Sequence, residues 1–381
     1  MGFFTYDKQK DQSNYISGYA TDNVQRFKIS GDKRILEILG QSQPPSIFDK
    51  LSSELVCYPG RVSLLKRSIC LPNVYEQFWA PWLADGSYSY PSKNVREDWK
   101  RWFSMAHLSL PVPDSRKAVN YINESLFDGL KCIINGRLKV IIKNHSDADN
   151  YWHWTFEWVP RLIQIIKFLG IDKCRNEVQF IVLGKDLNRF QRDWMNVLFG
   201  TVPEYTQVST PIICDQLVLA TPEFPSHHNP ELLCELRNLI FRQIPSIDFP
   251  REKYSKIYIS RGMARNGRHV SSEPLIIEML KSKGFNVVTM DNLSVYQQAY
   301  LFMNADTIIG PHGSAFVNML FCRPKTKIIE MFGPGYFSGH DYSLAYQAKL
   351  EWLFVEGFSS EIKNNFNSNY IVEPSQLIGL I

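Results

Sequence analysis

The sequence lacks the features that mark disulfide frameworks, zinc fingers and membrane spans. Its seven cysteines are odd in number and include no CxxC pair, which argues against a disulfide framework or a structural zinc site and suits a reducing compartment. No run approaches the roughly 18 apolar residues that cross a bilayer. The opening MGFFTYDKQKDQSNY has no apolar signal segment. These absences predict a soluble protein of the cytoplasm or of the inner face of the membrane.

Two common nucleotide-binding signatures are missing as well. The chain has no GxGxxG, which speaks against a nicotinamide or flavin enzyme, and no GxxxxGK[ST], which speaks against a P-loop ATPase. Internal repeats and low-complexity tracts are also absent. The net charge of +4 is mild. It fits an anionic small ligand or a membrane surface and does not require nucleic acid.

The apolar pattern predicts an α/β fold with two parallel sheets. With 381 residues, 44% hydrophobic and 21% charged, the chain is long enough for about two domains. A Pro-containing, charged stretch near 243–255 suggests a boundary, giving domains 1–250 and 251–381, with no role assigned to 1–130. Ligand is expected in a cleft between them. The predicted strands are 138–142, 178–184, 216–220, 256–260, 286–290, 307–309 and 327–331, and the predicted helices are 151–169, 188–199, 230–242, 272–283, 294–304 and about 314–321.

The first candidate site is the aromatic run NYWHWTFEWVPR, which begins a helix after a strand. His153 and Glu157 are four residues apart and therefore share one helix face. A histidine beside a carboxylate can remove a proton from a hydroxyl near neutral pH. Two such groups do not make a metal site, because no third ligand stands nearby. The alternative is that the two side chains only satisfy each other, although burial of a polar pair among aromatic residues costs free energy.

The second candidate site is the basic loop SRGMARNGRHVSSE, which leaves the strand at 256–260. Arg261 comes straight off the strand end, where its guanidinium can bind a diphosphate with paired donors. Arg265 and Arg268 lie in the glycine-containing loop that follows, which can equally be a solvated basic loop. Glu273 more plausibly anchors a loop arginine or caps the following helix.

The third candidate site is the stretch ADTIIGPHGSAFVNMLFCRPKTKIIEMF, a strand, a tight turn, a short helix and a second strand. Small residues at a strand-to-helix turn let the helix N-terminus approach a phosphate, although they also serve simple close packing. His312 can donate to that phosphate, and Asn318 lies one turn after Ser314. Glu330 ends the next strand and could accept from ribose hydroxyls, as acids do in dinucleotide-binding folds.

These blocks resemble a known family when they are taken in order. The run YISR…RxVxxE…GFxV…LSxxxQxxxFxxADxIIGPHGSAFxNMLF…KIIEM resembles the C-terminal half of family 61 glycosyltransferases, the DUF563 group, and NYWHWTFEWVPRL resembles its N-terminal motif. Together they cover about residues 140–335. Two departures are Ser272, where the family often has Asn, and the Ser-Ala-Phe after GPHG, where smaller residues are usual. Gln298 matches a family position whose role cannot be derived.

The resemblance implies a fold, an activity and a set of site residues. The fold would be GT-B-like, two Rossmann-like domains facing a cleft. The activity would be inverting transfer from a nucleotide-sugar, commonly UDP-linked, without a catalytic metal or other cofactor. His153 or Glu157 would serve at the acceptor hydroxyl, with the choice between them open. The donor would be bound by Arg261, Arg268, His312, Gly313, Ser314, Asn318 and Glu330.

The implied partners are a nucleotide-sugar donor and a glycan acceptor, and no nucleic acid is expected. The implied process is surface or capsular polysaccharide synthesis, with an association with the membrane or the assembly machinery. Two alternatives share the fold: another nucleotide-sugar-dependent enzyme, such as an epimerase, and a binding protein without turnover.

Overall fold

The computed structural model describes the chain in segments, namely residues 15–20, 25–28, 54–57, 61–70, 82–83, 133–134, 137–144, 149–209, 212–221, 226–244, 254–262, 267–334, 339–359 and 368–381. The chain divides into two compact units. The first contains 1–25 and 58–226, and the second contains 26–57 and 227–381. The sequence favoured a boundary at 250/251, which stays a prediction.

The strands of these segments number fifteen. They are β1 (Tyr15–Ala20), β2 (Gln25–Lys28), β3 (Glu54–Cys57), β4 (Arg61–Cys70), β5 (Trp82–Leu83), β6 (Ile133–Ile134), β7 (Leu138–Asn144), β8 (Val178–Gly184), β9 (Tyr205–Val208), β10 (Ile212–Thr221), β11 (Lys256–Ile259), β12 (Asn286–Val288), β13 (Thr307–Pro311), β14 (Lys327–Phe332) and β15 (Glu351–Glu356).

The α-helices described are α1 (Tyr151–His153), α2 (Val159–Leu169), α3 (Ile171–Asn176), α4 (Arg189–Phe199), α5 (Pro230–Phe241), α6 (Glu273–Ser282), α7 (Val295–Asn304), α8 (Gly339–Gln347) and α9 (Pro374–Ile378). A π-helical turn, Trp154–Trp158, joins α1 to α2. Two 3₁₀ segments are Ser226–His228 and Ser314–Phe321. No helix of these segments is both long and apolar enough to span a bilayer.

The sheet of the first unit is mixed rather than wholly parallel. Its order is β1-β4-β10-β7-β8-β9, with β5 on β4 and β6 on β10. Strands β10, β7 and β8 run parallel, as the βα alternation predicted, and β9, which was not predicted, adds a further parallel strand. Strand β4 pairs antiparallel with β10, β1 and β5. Strands β1, β4 and β5 come before residue 130, where the sequence carried no readable alternation, and β2 and β3 form a separate two-stranded sheet.

The sheet of the second unit is wholly parallel, in the order β12-β11-β13-β14-β15. Five of the six residues of β14 are buried, as expected for a strand of a parallel sheet that is covered on both faces. Strand β15 and helices α8 and α9 lie beyond the stretch that the sequence analysis interpreted. One core cluster takes a residue from each of four neighbouring strands, namely Tyr258, Ile309, Ile329 and Leu353.

Helix boundaries follow local capping rules. Asn188 and Ser294 each form a capping box with a glutamine three residues later, at the starts of α4 and α7. The sequence predicted helices over 188–199 and 294–304, and in both cases the residue predicted first is the cap. Gly200, with φ of 76°, ends α4 in the left-handed conformation that glycine adopts at little cost.

Gly310 in β13 provides a test of how tightly the central strands pack. A Cβ at this position would lie 3.0 Å from both the Cβ and the carbonyl oxygen of Ile259 in the neighbouring strand. We therefore expect Gly310→Ala to lower the free energy of unfolding by about 1–3 kcal/mol through overpacking, measured by chemical denaturation. Gly379→Ala is the control, because nothing lies within 4 Å of its Cβ. Equal stability of the two variants would contradict the tight packing.

Candidate functional site

Two predicted donor-binding side chains follow the carboxyl ends of adjacent parallel strands. Arg261 comes two residues after β11, and His312 directly follows β13, which pairs with β11. Arg261 Nη1 donates to the carbonyl oxygen of His312 at 2.7 Å, and Nη2 donates to that of Gly267 at 3.4 Å. The structure therefore brings Arg261 and His312 together at the sheet edge where ligands bind in parallel α/β folds.

The imidazole of His312 contacts two buried carboxylates through one nitrogen. Nδ1 lies 2.6 Å from Glu330 Oε1 and 3.0 Å from Asp341 Oδ2. The other Glu330 oxygen, Oε2, accepts from Trp352 Nε1 at 3.0 Å. The ring of Phe332 stacks on the imidazole, with centroids 4.9 Å apart and planes 22° apart. The ring of His312 is thus held at its edge and on one face.

Burial and charge act in opposite directions on His312. Burial alone would lower its pKa, but Asp341 and Glu330 raise the pKa to about 9. Burial and the charge of Asp341 raise the pKa of Glu330, although His312 and Trp352 oppose this. Since both pKa values are raised, the cluster holds extra protons near neutral pH. His312 is then an imidazolium, a cationic donor suited to a phosphate.

The same three side chains are the group in the described segments that could hold a cation. One ligand atom each from His312, Glu330 and Asp341 lies within 4.8 Å of the others. The 2.6 Å separation of Nδ1 and Oε1 is a charge-assisted hydrogen bond. Two ligands of one metal at about 2.1 Å stand farther apart than this. The geometry therefore favours an imidazolium between carboxylates.

The side chains of Glu330 and Asn318 are buried and contact other protein groups. Glu330 is completely buried and both its oxygens have protein partners, so this geometry favours support of His312 over contact with ribose. Asn318, also completely buried, donates from Nδ2 to Gln298 Oε1 and to the carbonyl of Ala315. The Gln298 amide donates in turn to Met290 and Leu293 carbonyls. This network ties α7 to the Ser314–Phe321 helix and gives Gln298 a structural role.

Gly313 allows the arginine to reach this turn. Its φ of 178° is extended and suits any residue. A Cβ, however, would lie 2.6 Å from Arg261 Nη1. Ser314 begins the 3₁₀ helix that follows, half-buried at its first position. The absence of a side chain at Gly313 therefore keeps the guanidinium against the backbone of the turn.

Arg268 is brought to the same region by an unusual backbone. Its φ of 60° lies in the left-handed region, which is costly for a residue with a Cβ and is enriched at functional sites. Burial raises the pKa of the nearby Tyr370 hydroxyl, and the charges that act on it belong to Arg261, Glu330, Arg268 and Glu273. Tyr370 donates to the carbonyl of Met331 at 2.9 Å. Arg265 lies outside the described residues.

The first unit presents its candidate pair on a π-helical turn. Asn150 caps α1 by accepting from Trp152 N, and the N–H of Val159 reaches back five residues to the carbonyl of Trp154. Pro160 has no N–H for the carbonyl of Phe156 four residues earlier, and Ser226 Oγ donates to that carbonyl instead. Single π turns occur frequently at functional sites.

His153 and Glu157 make direct contact across this turn. Nδ1 of His153 lies 2.6 Å from Glu157 Oε1, with the side chains 39% and 18% exposed. The predicted pair is therefore in contact and reaches solvent, while the surrounding Trp154, Phe156 and Trp158 are buried. Burial lowers the pKa of Arg161, the next residue on this face, and the charge of Glu157 opposes that effect. The Arg161 guanidinium lies 4.8 Å from the Trp158 ring centroid.

A cavity of about 640 Å³ in the first unit lies elsewhere. It is bounded by the start of β7 and the end of α2, including Leu138, Phe168 and Gln216. His153 and Glu157 lie past the opposite, carboxyl end of β7. The cavity therefore does not include the candidate pair.

Sequence reasoning missed Asp341, Trp352 and Tyr370. All three follow the last interpreted strand. Asp341 in α8 contacts His312, Trp352 in β15 donates to Glu330, and Tyr370, before α9, donates to the carbonyl of Met331 next to Glu330. Their spacing from His312 in the chain obeys no motif. No signal in a single sequence pointed to them.

One comparison with known proteins identifies a related family. Residues 151–329 match the model of the family Glycosyltransferase 61. The match covers slightly less than half of the chain. It includes His153, Glu157, Arg261 and His312, whereas Glu330 and Asp341 lie beyond it. Among curated proteins, none matches the chain. The match supports the family 61 resemblance, and a domain of this kind suggests glycosyl transfer.

The raised pKa values of His312 and Glu330 predict how stability depends on pH. Between about pH 4.5, the ordinary pKa of Glu, and about pH 9, the folded cluster binds more protons than the unfolded chain. Stability from this cluster is therefore present at low pH and is lost as pH rises through that window, by up to about 1.4 kcal/mol per pH unit for each extra proton. Urea unfolding between pH 6 and pH 9 measures this slope.

The matched comparison for that slope is Glu330→Gln against Glu356→Gln. Glu330→Gln removes one of the titrating groups and should flatten the decline, whereas Glu356 is exposed at the end of β15 and its substitution should leave the slope unchanged. If both variants keep the wild-type slope, the cluster does not hold the extra protons.

Proposed function

We propose that the chain is an inverting glycosyltransferase. It moves a sugar from a nucleotide-sugar, a UDP-sugar by the family resemblance, to a hydroxyl of a glycan acceptor in surface or capsular polysaccharide synthesis. The observation that carries the proposal is the contact of Arg261 with the His312 carbonyl at the carboxyl ends of β11 and β13, where Asp341 and Glu330 raise the pKa of His312. The Glycosyltransferase 61 match over the segment containing both residues supports it.

On the donor side, positive charge meets the diphosphate. Arg261, Arg268 and His312 stabilise the negative charge that grows on the leaving group, and preorganised donors of this kind supply a large share of catalysis. Gly313 and Ser314 bring the first backbone N–H groups of the 3₁₀ helix to the phosphate. This set of cations takes the part that a divalent metal plays elsewhere, so the proposal includes no metal or other cofactor.

Two residues change role relative to the sequence analysis. Glu330 acts on the donor through His312, because its own oxygens are buried and hydrogen-bonded. Asn318 holds the 3₁₀ helix in place through Gln298 and Ala315. Neither residue contacts the nucleotide-sugar in this proposal.

On the acceptor side, Glu157 or His153 takes the proton from the attacking hydroxyl. The acceptor oxygen bonds to the anomeric carbon from the face opposite the leaving group, and the bond from that carbon to the diphosphate oxygen breaks. The sugar is transferred with inversion, and the nucleoside diphosphate leaves. The 2.6 Å contact between His153 and Glu157 supports a base and its partner.

The remaining expectations stay within the proposal. They are a GT-B type of fold, no nucleic-acid partner, a cytoplasmic location, and a peripheral association with the membrane or a polysaccharide-assembly complex. They depend on the resemblance and on the composition of the chain.

The experiment that tests the function is acceptor-dependent release of nucleoside diphosphate. A thermal-shift screen with UDP, GDP, CMP and TDP first selects the nucleotide, and the matching sugar donors are then offered with a glycan array. Release of diphosphate that needs acceptor, with sugar found on the glycan, supports the proposal. Donor conversion without release would identify an epimerase-like enzyme. Nucleotide binding with no transfer to any glycan would identify a binding protein.

Arg261→Ala should weaken UDP binding by about 1.5–3 kcal/mol, because a charge-assisted hydrogen bond contributes on this scale. Isothermal calorimetry gives the affinity, and a parallel melting curve shows whether the fold is intact. Arg323→Ala is the control, since Arg323 is half-exposed and pairs with Asp306 in the same unit. Unchanged UDP affinity in a folded Arg261→Ala variant would place the donor site elsewhere.

Glu157→Gln and His153→Ala should lower turnover strongly and leave nucleotide affinity nearly unchanged, because proton removal typically contributes 10²–10⁴-fold in rate. Initial rates at saturating donor, with calorimetric affinities beside them, measure both quantities. Glu177→Gln, a substitution on the exposed surface of the same unit, serves as the control. Full activity in both variants would mean that the base lies elsewhere.

A further inference from the structure

Asp341 is a buried carboxylate that neither the sequence motifs nor the family match contains. It lies in the first turn of α8 and is 1% exposed. Its Oδ2 is 3.0 Å from Nδ1 of His312. A buried carboxylate is costly unless it is paired, and the cation at this distance is the imidazolium. Moving His312 away would therefore leave a buried carboxylate without its counter-charge, which is destabilising.

Two carboxylates on one nitrogen restrict the histidine more than one would. Glu330 reaches Nδ1 from β14 and Asp341 reaches it from α8, so the ring edge is held from two separate elements. Trp352 Nε1 fixes the second oxygen of Glu330, and Phe332 covers one face of the ring. Rotation of the imidazole would break both ion pairs at once.

The charges around His312 come from each element packed on it. Glu330 and Asp341 are the anions in contact, and Arg261 is the cation that donates to its carbonyl. Tyr370 donates to the Met331 carbonyl beside it. With one imidazolium and two carboxylates at Nδ1, the contacts favour the cationic ring and direct its Nδ1–H into the protein.

We propose that Asp341 is a positioning residue. Its ion pair with Nδ1 of His312, beside the hydrogen bond between Nδ1 and Glu330, keeps Nδ1 directed inward and the ring cationic, so that Nε2–H is the group that meets the donor diphosphate. The contact with diphosphate rests on the proposed function. The orientation and charge of the ring stand apart from it and can be measured without substrate.

The experiment is an NMR titration of the His312 ring in the full-length protein. Selective ¹³C labelling of histidine gives eight imidazole signals at most, and the signal lost in His312→Gln assigns the ring. In the wild-type protein we expect a His312 pKa well above 6.5. Asp341→Asn should lower it by one unit or more, because deprotonation then no longer leaves two buried anions side by side. Asp291→Asn, an exposed substitution in the same unit, should leave it unchanged.

The pH dependence of ligand binding adds a second measurement, which would not change if Asp341 had only a structural role. For the wild-type protein, UDP affinity should stay constant between pH 6 and pH 8 and should decrease above pH 8. For Asp341→Asn the fall should begin about one to two units lower, giving roughly a tenfold loss at pH 8 and little loss at pH 6. An equal loss at both pH values would contradict positioning and indicate general damage to the site.

The outcomes separate the two proposals. A wild-type His312 pKa at or below 6.5, or an unchanged pKa in Asp341→Asn, overturns the role of Asp341. If Asp341→Asn does not fold, Glu330→Gln decides, because Asp341 is then the remaining carboxylate and should keep the His312 pKa above 6.5. A raised pKa that depends on Asp341, in a protein that binds none of the nucleotides, supports the positioning role and overturns the proposed function instead.

Discussion

The second unit depends on a charge balance at one nitrogen. Nδ1 of His312 meets Glu330 from β14 and Asp341 from α8, at 2.6 and 3.0 Å. Burying two carboxylates in this place is tolerable only because a cation lies between them. The pair in turn keeps the imidazole protonated in surroundings that would otherwise discharge it. The histidine is cationic because of its neighbours, and the neighbours can be buried because of the histidine.

In the first unit, the helix that carries His153 and Glu157 has an irregular backbone beside Pro160, whose ring leaves it without an N–H. Pro160 supplies no N–H to the carbonyl of Phe156, so the helix cannot continue with regular bonding at this point. A π turn and a hydrogen bond from Ser226 resolve the conflict. The turn presents His153 and Glu157 in contact above a buried aromatic layer. An imposed local cost thus coincides with the pair that we assign to proton removal.

Both candidate groups lie within or next to one family-matched segment. They differ in how exposed they are and in how firmly they hold protons. The pair in the first unit is partly exposed and can exchange a proton with solvent. The cluster in the second unit is buried and keeps its protons near neutral pH. In the proposed transfer the acceptor hydroxyl must lose a proton, while the diphosphate of the donor must leave as an anion.

The sequence by itself predicted the parallel strands β7, β8 and β10 to β14 and most of the helices between them, because period and capping are local signals. It also determined that Arg261 and His312 follow strand ends, since chain order fixes which residue comes next. The tertiary structure alone decided that Glu330 and Asn318 are buried, that β4 and β1 join antiparallel, and that Asp341 reaches Nδ1 from α8. These outcomes depend on which distant elements pack together, and no spacing along one chain encodes such contacts.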